Sequence, residues 1–250
     1  MDSAVAAENR KCAMPGVEFM ASHRIPTADT EGLRLTYLKG TELFQDFTPE
    51  QLEPFHHTIH MATCRVGHVF YRPGETGETM FLLKEGAAQL YRLSPDGRKF
   101  VFAEVPASSI FGEMACIGQA MYECFAEATA DSVICTLSRA NVQRLILAYP
   151  QFAQRLIEAI GKRLVQAERQ LEGLAFRTVV PRLAEFLERE SRGGLLEGFS
   201  HQAIGERLGV YRETATYALN ELKAAGIIEI GRRRIHVIDG ERLARAARAG

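Results

Sequence analysis

The spacing of apolar positions changes along the chain, and each change marks an expected structural boundary. Residues 1–40 hold no sustained period, with Ala, Ser, Pro and Gly scattered through them, which predicts a loosely ordered N-terminal extension. Thr48-Pro49-Glu50-Gln51 has the form of a capping box, Thr at the N-cap, Pro at N1 and Gln at N3, so a short helix is expected to about His57. From Cys64 to Leu137 short runs rich in Val, Phe, Tyr, Leu and Ile alternate with turn signals at Pro73-Gly74, Thr76-Gly77, Glu85-Gly86 and Pro95-Asp96-Gly97. Asp96-Gly97 between Gln89–Leu93 and Lys99–Phe102 reads as a hairpin. Many short strands at close spacing indicate an antiparallel sandwich or jelly roll.

The period then becomes helical from about Ser138 to Ala175, with a bend expected at Tyr149-Pro150. Beyond Pro150 the apolar positions Ala153, Ile157, Ile160, Leu164, Ala167, Leu171 and Leu174 step alternately by four and three. So narrow a seam suits one partner helix, which favours a homodimer coiled coil over a helix lying on the β domain. Thr178 is placed to cap the next helix, with Pro181 in its first turn and Leu183, Phe186 and Leu187 on its apolar face. The break near Phe176-Arg177 is the expected hinge.

Residues 200–226 carry the motif with the clearest function. Ser200 caps a short helix with Ala203, Ile204 and Leu208 inside; Gly209 permits a tight turn, Val210 plugs the angle, and a second helix buries Ala215, Leu219 and Leu222. This is helix-turn-helix spacing. The second helix presents Arg212, Glu213, Thr214, Thr216 and Tyr217 near its start, where base edges are read; Arg suits guanine O6 and N7, and Glu accepts from cytosine N4. Ile227–Ile230 and Ile235–Ile238 flank Gly231-Arg-Arg-Arg234 as a β-wing, with Arg232 and Arg233 placed for phosphates.

Charge sharpens this reading only after the chain is divided. Thirty basic and 31 acidic residues give a formal charge of −1, but from Arg177 onward 13 Lys/Arg face 10 Asp/Glu, +3, leaving −4 on the rest. Six of those cations lie between Arg232 and Arg248. A C-terminal part that meets a polyanion fits this asymmetry. No apolar run approaches the ~20 residues of a membrane span, and residues 1–20 have no secretory pattern. The odd set Cys12, Cys64, Cys116, Cys124 and Cys135 has no C-x-x-C spacing, so a reducing cytoplasm is expected and zinc ribbons are excluded. No nucleophile elbow, Walker loop or H-E-x-x-H occurs, so no enzyme is expected.

Gly67, Pro73-Gly74, Met80–Gly86 and Phe111-Gly112-Glu113-Met114, then Leu174-Ala175-Phe176, then Ile204-Gly205 and Leu208–Thr214, together resemble the Crp/Fnr family over about residues 41–240. The resemblance implies an α+β chain: extension 1–40, an effector-sensing β-roll (jelly roll of the cyclic-nucleotide-binding kind) over 41–137, a dimerisation helix over 138–176, and a winged helix-turn-helix over 177–250. It implies a sequence-specific transcription factor, a homodimer on palindromic double-stranded DNA, meeting RNA polymerase if it activates. In cyclic-AMP-binding members a Gly-Glu pair holds the ribose and a following Arg-Ser holds the phosphate. Gly112-Glu113 is kept, but Glu123 and Cys124 stand where Arg-Ser would be, and Ala167-Glu168 where a Thr-Ser pair meets adenine. A carboxylate repels a phosphate and the bidentate contact is lost, so these six pocket residues, with Met114 as a seventh, point to an effector other than cyclic AMP, or to none. Tyr217 replaces the family's second base-reading Arg.

Two other sensing chemistries stay open. Cys116 and Cys124 flank the expected pocket and could form a redox pair, as against inert buried thiols. His56 and His60, at i,i+4 beside His57 and Cys64, have the spacing to share haem, although no carboxylate completes a metal site and none is assigned. An iron–sulfur cluster is not expected: Cys135 lies near one family ligand position, but Cys12 is alone at the N-terminus.

Overall fold

The computed structural model describes residues 18–19, 38, 40–56, 59–119 and 121–249. The expected extension lies almost wholly outside these residues, as do Cys12 and His57. Two compact units are formed, 1–91 with 103–162, and 92–102 with 163–250.

In the first unit, helix α1 (Pro49–His56) starts as the capping box predicts. The Thr48 N–H donates to Gln51 Oε1 at 3.0 Å, and the Gln51 N–H donates to Thr48 Oγ1 at 3.4 Å. The strands are β1 (Glu18–Phe19), β2 (His60–Cys64), β3 (Val69–Tyr71), β4 (Thr79–Glu85), β5 (Ala87–Leu93), β6 (Lys99–Pro106), β7 (Ile110–Phe111), β8 (Phe125–Ala128) and β9 (Ser132–Ser138). They make two sheets, β1-β2-β9-β4-β7 and β3-β8-β5-β6, the antiparallel two-sheet arrangement that the turn signals indicate and the β-roll that the resemblance implies. Strand β1 falls in a stretch without sequence period; its strand character comes from pairing Glu18 with Thr63 and Phe19 with Ala62.

Strand β4 explains why its sequence is continuously apolar. Phe81 joins an aromatic cluster between the sheets, stacked on Phe111 at 4.9 Å and set against Phe70 of β3 at 5.6 Å. Its neighbours Met80 and Leu82 belong to a second cluster with Phe44, Phe47, Leu52, Val142, Leu145, Phe152 and Leu156, packed under helices. Both faces of the strand are covered, so no polar alternation survives.

Helix α2 (Arg139–Ala148) and helix α3 (Pro150–Phe176) follow. The bend expected at Tyr149-Pro150 is a full break, with Tyr149 extended at φ −133° and ψ 96°. Helix α3 is tied to the 42–46 segment by Arg155 Nε donating to Asp46 Oδ2 at 2.7 Å and by a Lys162–Glu42 ion pair.

The second unit contains α4 (Val179–Glu190), β10 (Leu195–Glu197), α5 (His201–Leu208), α6 (Arg212–Ala224), β11 (Ile228–Gly231), β12 (Arg234–Val237) and α7 (Gly240–Arg248). Thr178 occupies the N-cap of α4 but makes no capping hydrogen bond through its side chain. The sheet order is β10-β12-β11. Its core joins Leu183, Phe186 and Leu187 of α4 to Ile204, Leu219, Leu222, Ile235 and Leu243. The Arg-rich C-terminal stretch is helical: Asp239 Oδ1 accepts from the Arg242 N–H at 2.9 Å, and Leu243 and Ala247 are buried. No helix among the described residues is long and apolar enough to cross a membrane.

Candidate nucleic-acid interface

The turn between α5 and α6 depends on two glycines. Gly209 takes the left-handed conformation, φ 67° and ψ 31°, that ends α5. A Cβ on Gly205 would lie 2.9 Å from the Val210 carbonyl oxygen, so only glycine lets the turn fold back this closely. The Val210 N–H donates to the Gly205 carbonyl at 2.9 Å, and Val210 packs against the core in the angle between the helices. From α4, Arg182 Nη2 donates to the Leu208 carbonyl at 2.8 Å, placing a cation at the negative end of α5.

This turn aims α6. Ala215, Ala218, Leu219 and Leu222 are buried, while Arg212, Glu213 and Thr214 are exposed, Thr216 is half-buried, and Tyr217 is 72% exposed. Ser200 acts first as the cap of α5, its Oγ accepting from the Ala203 N–H at 3.1 Å. The wing is a tight turn with Arg232 and Arg233 between the strands and Arg233 left-handed at φ 56°. Arg233 Nη2 donates to the Gly198 carbonyl at 3.4 Å, which holds the tip toward α5.

The sequence-predicted residues Ser200, Arg212 and Arg233 line one cleft of about 500 Å³ between α5, α6 and the wing. Sequence reasoning missed His201, Gln202 and Arg234, which line it as well. Arg234 belongs to the basic triplet but opens the strand beyond the tip, and it also pairs with Glu197 at 3.0 Å. No carboxylate is among the described lining residues. The cleft therefore offers three guanidinium groups and a helix N-terminus, a setting for phosphate oxygens.

The expected effector residues are spread more widely. Gly112 and Glu113 are buried, Glu113 at 2% exposure, while Met114 is exposed and opens into a π-helical turn, Ala115–Gln119. Glu123 is exposed and Cys124 half-buried before β8; Ala167 and Glu168 are exposed on α3. Cys64, Cys116, Cys124 and Cys135 are free thiols. Burial pushes the Cys116 thiol up to about 12, with the Arg139 charge opposing it, and burial with the Asp131 charge pushes Cys64 up to about 11. His56 ends α1 while His60 opens β2, so the i,i+4 pair does not share a helix. Among the described residues no group of three or more His, Cys, Asp or Glu could hold a metal.

On the seam of α3, Ile157, Leu164 and Leu171 are 69%, 58% and 67% exposed, and Ala167 is exposed too. Ile160 instead packs against the first unit's own core. Leu174 lies on α3, with its side chain outside the described residues.

The cyclic nucleotide-binding domain family matches residues 63–149, and the Crp-like helix-turn-helix domain family matches residues 181–246. The chain is 30% identical over 183 residues to the transcriptional regulator LdrP of Thermus thermophilus, covering 71% of this chain and 91% of that one. It belongs to the Crp/Fnr family. Other Crp/Fnr relatives share the arrangement. The cyclic AMP receptor protein of Thermus thermophilus is 26% identical over 196 residues, 78% of this chain and 91% of its own. The solved structure of FixK2 from Bradyrhizobium japonicum matches with a TM-score of 0.65 at 26% identity, covering 77% and 98% of the two chains. As a Crp/Fnr member, this chain is a DNA-binding transcription factor.

Proposed function

We propose that this transcription factor works in the cytoplasm as a homodimer on a palindromic operator, with Arg212, Glu213, Thr216 and Tyr217 meeting base edges and Arg232, Arg233 and Arg234 placed for phosphates. The observation that carries the reading is the exposed start of α6 beside a cleft lined by three arginines. The exposed apolar stripe Ile157, Leu164, Leu171 is the dimer seam, and RNA polymerase is the partner wherever the protein activates.

Its effector, if it has one, is not cyclic AMP, although one relative carries that ligand in its name. The support is an exposed carboxylate at Glu123, where the resemblance requires a phosphate-binding Arg. Of the expected redox pair Cys116 and Cys124, Cys116 is opposed as a thiolate sensor by burial, which keeps it protonated near neutrality.

Selection of binding sites from a random-sequence duplex pool tests the reading. An inverted repeat with half-sites about 10 bp apart should emerge, with binding that weakens as salt rises. Failure to enrich any sequence would overturn it. In calorimetry, cyclic AMP is expected to give no micromolar binding; a micromolar isotherm would reverse the effector assignment.

A further inference from the structure

Thr216 sits one turn into α6, on the same face as Arg212. Its Oγ1 lies 2.8 Å from the Arg212 carbonyl oxygen and 2.9 Å from Nδ1 of His201, the first residue of α5. A hydroxyl has one proton and two lone pairs, and a carbonyl oxygen only accepts. The Thr216 hydroxyl therefore donates to the Arg212 carbonyl oxygen, and its oxygen accepts from His201, whose Nδ1 carries the hydrogen. The reverse assignment would leave two acceptor oxygens facing each other at 2.8 Å.

Thr216 in this state has no proton to give a base. The purine N7 and O6 positions and thymine O4 all need a donor, so none of them is served by this hydroxyl. What Thr216 retains is one lone pair and its γ-methyl group, and the apolar feature of the major groove that a methyl meets is the thymine C5-methyl. The N-terminal part of a recognition helix is where such contacts are made.

We propose that His201 is a positioning residue for base selection: by holding the Thr216 hydroxyl, it makes Thr216 a methyl reader that selects a thymine in each half-site. This rests on the DNA-binding assignment of α6 made above. Arg212, Glu213 and Thr216 then read by different chemistries, the first two by hydrogen bonds and the third by apolar contact.

The test uses the full-length protein and a duplex recovered from the random pool. Each thymine of one half-site is replaced in turn by uracil, which lacks only the methyl group. One position is expected to lose about four-fold in affinity, the value of one buried methyl-sized group. Thr216→Ser, which keeps the hydroxyl and drops the methyl, should abolish that thymine-over-uracil ratio, and Thr216→Val should keep it. His201→Phe should lower the ratio, and His201→Asn, whose side-chain N–H stands near the former Nδ1–H, should restore it. Melting curves confirm that each variant is folded, and the Asn and Thr216 variants suffice if the Phe variant is not.

Uracil tolerated at every position would overturn the proposal, as would a Thr216→Ser protein that still discriminates or a folded His201→Phe protein with an unchanged ratio. Absence of binding by the wild-type protein to every duplex would overturn the DNA-binding assignment as well, so the two failures are distinct.

Discussion

His68 is half-buried against Phe70, ring to ring at 5.1 Å and edge-on, and its Nε2 is buried without a hydrogen-bond partner. Burial lowers its pKa below the ordinary 6.5. The imidazole is neutral in the fold, so as pH falls through about 6.5 the unfolded chain takes up the proton first. The stabilisation is present above that pH and is lost on going lower. A His68→Phe protein should therefore lose less stability than wild type between pH 7 and pH 5 in urea melts; parallel curves would contradict this. Residues whose role is local were legible in the sequence. Thr48 and Ser200 cap because their partners lie three residues away, and Gly209 ends a helix because its own conformation demands it. His201 was not legible, since its partner Thr216 is fifteen residues away on another helix.

Elements with a strong period were also legible: the hairpin at Asp96-Gly97, closed by the Gly97 N–H donating to the Ser94 carbonyl at 2.8 Å, and both helices of the turn motif. Strand β10 was not, because three residues hold no period and pairing with β12 alone makes them a strand. Helix α7 could have been read from Asp239 ahead of Leu243 and Ala247, but its arginines draw the eye to a tail. Helix α3 was read well as an element and less well in its facing: Ile160 turns inward, and Ile157, Leu164 and Leu171 remain outside at seven-residue intervals. Leu164→Glu should place a charge in the seam and cost about 3 kcal/mol of association, roughly a hundred-fold. Sedimentation should then show monomer at concentrations where wild type is dimeric; unaltered dimer would place the interface elsewhere.

For the molecule as a whole, a net charge of −1 is misleading, because 13 Lys/Arg against 10 Asp/Glu lie beyond Phe176. An excess of +3 on one copy gives modest phosphate attraction, so two copies acting together matter for affinity. Replacing Arg232 with Ala in both protomers should lower the slope of log affinity against log salt by about 2, one phosphate for each copy. Sequence preference in a selection experiment should stay as it was. An unchanged slope would show that this arginine reaches no phosphate.

One helix, Pro150–Phe176, ends the first compact unit and begins the second without a loop between them. Its 27 residues run about 40 Å, and such a connection has a phase as well as a length. One residue inserted near Arg163 would turn Leu164 and Leu171 about 100° around the helix axis from Ile157, whereas seven would return them to within about 20°. The exposed stripe thus stays in line only when residues are gained or lost in whole heptads, so its register is written in residue count.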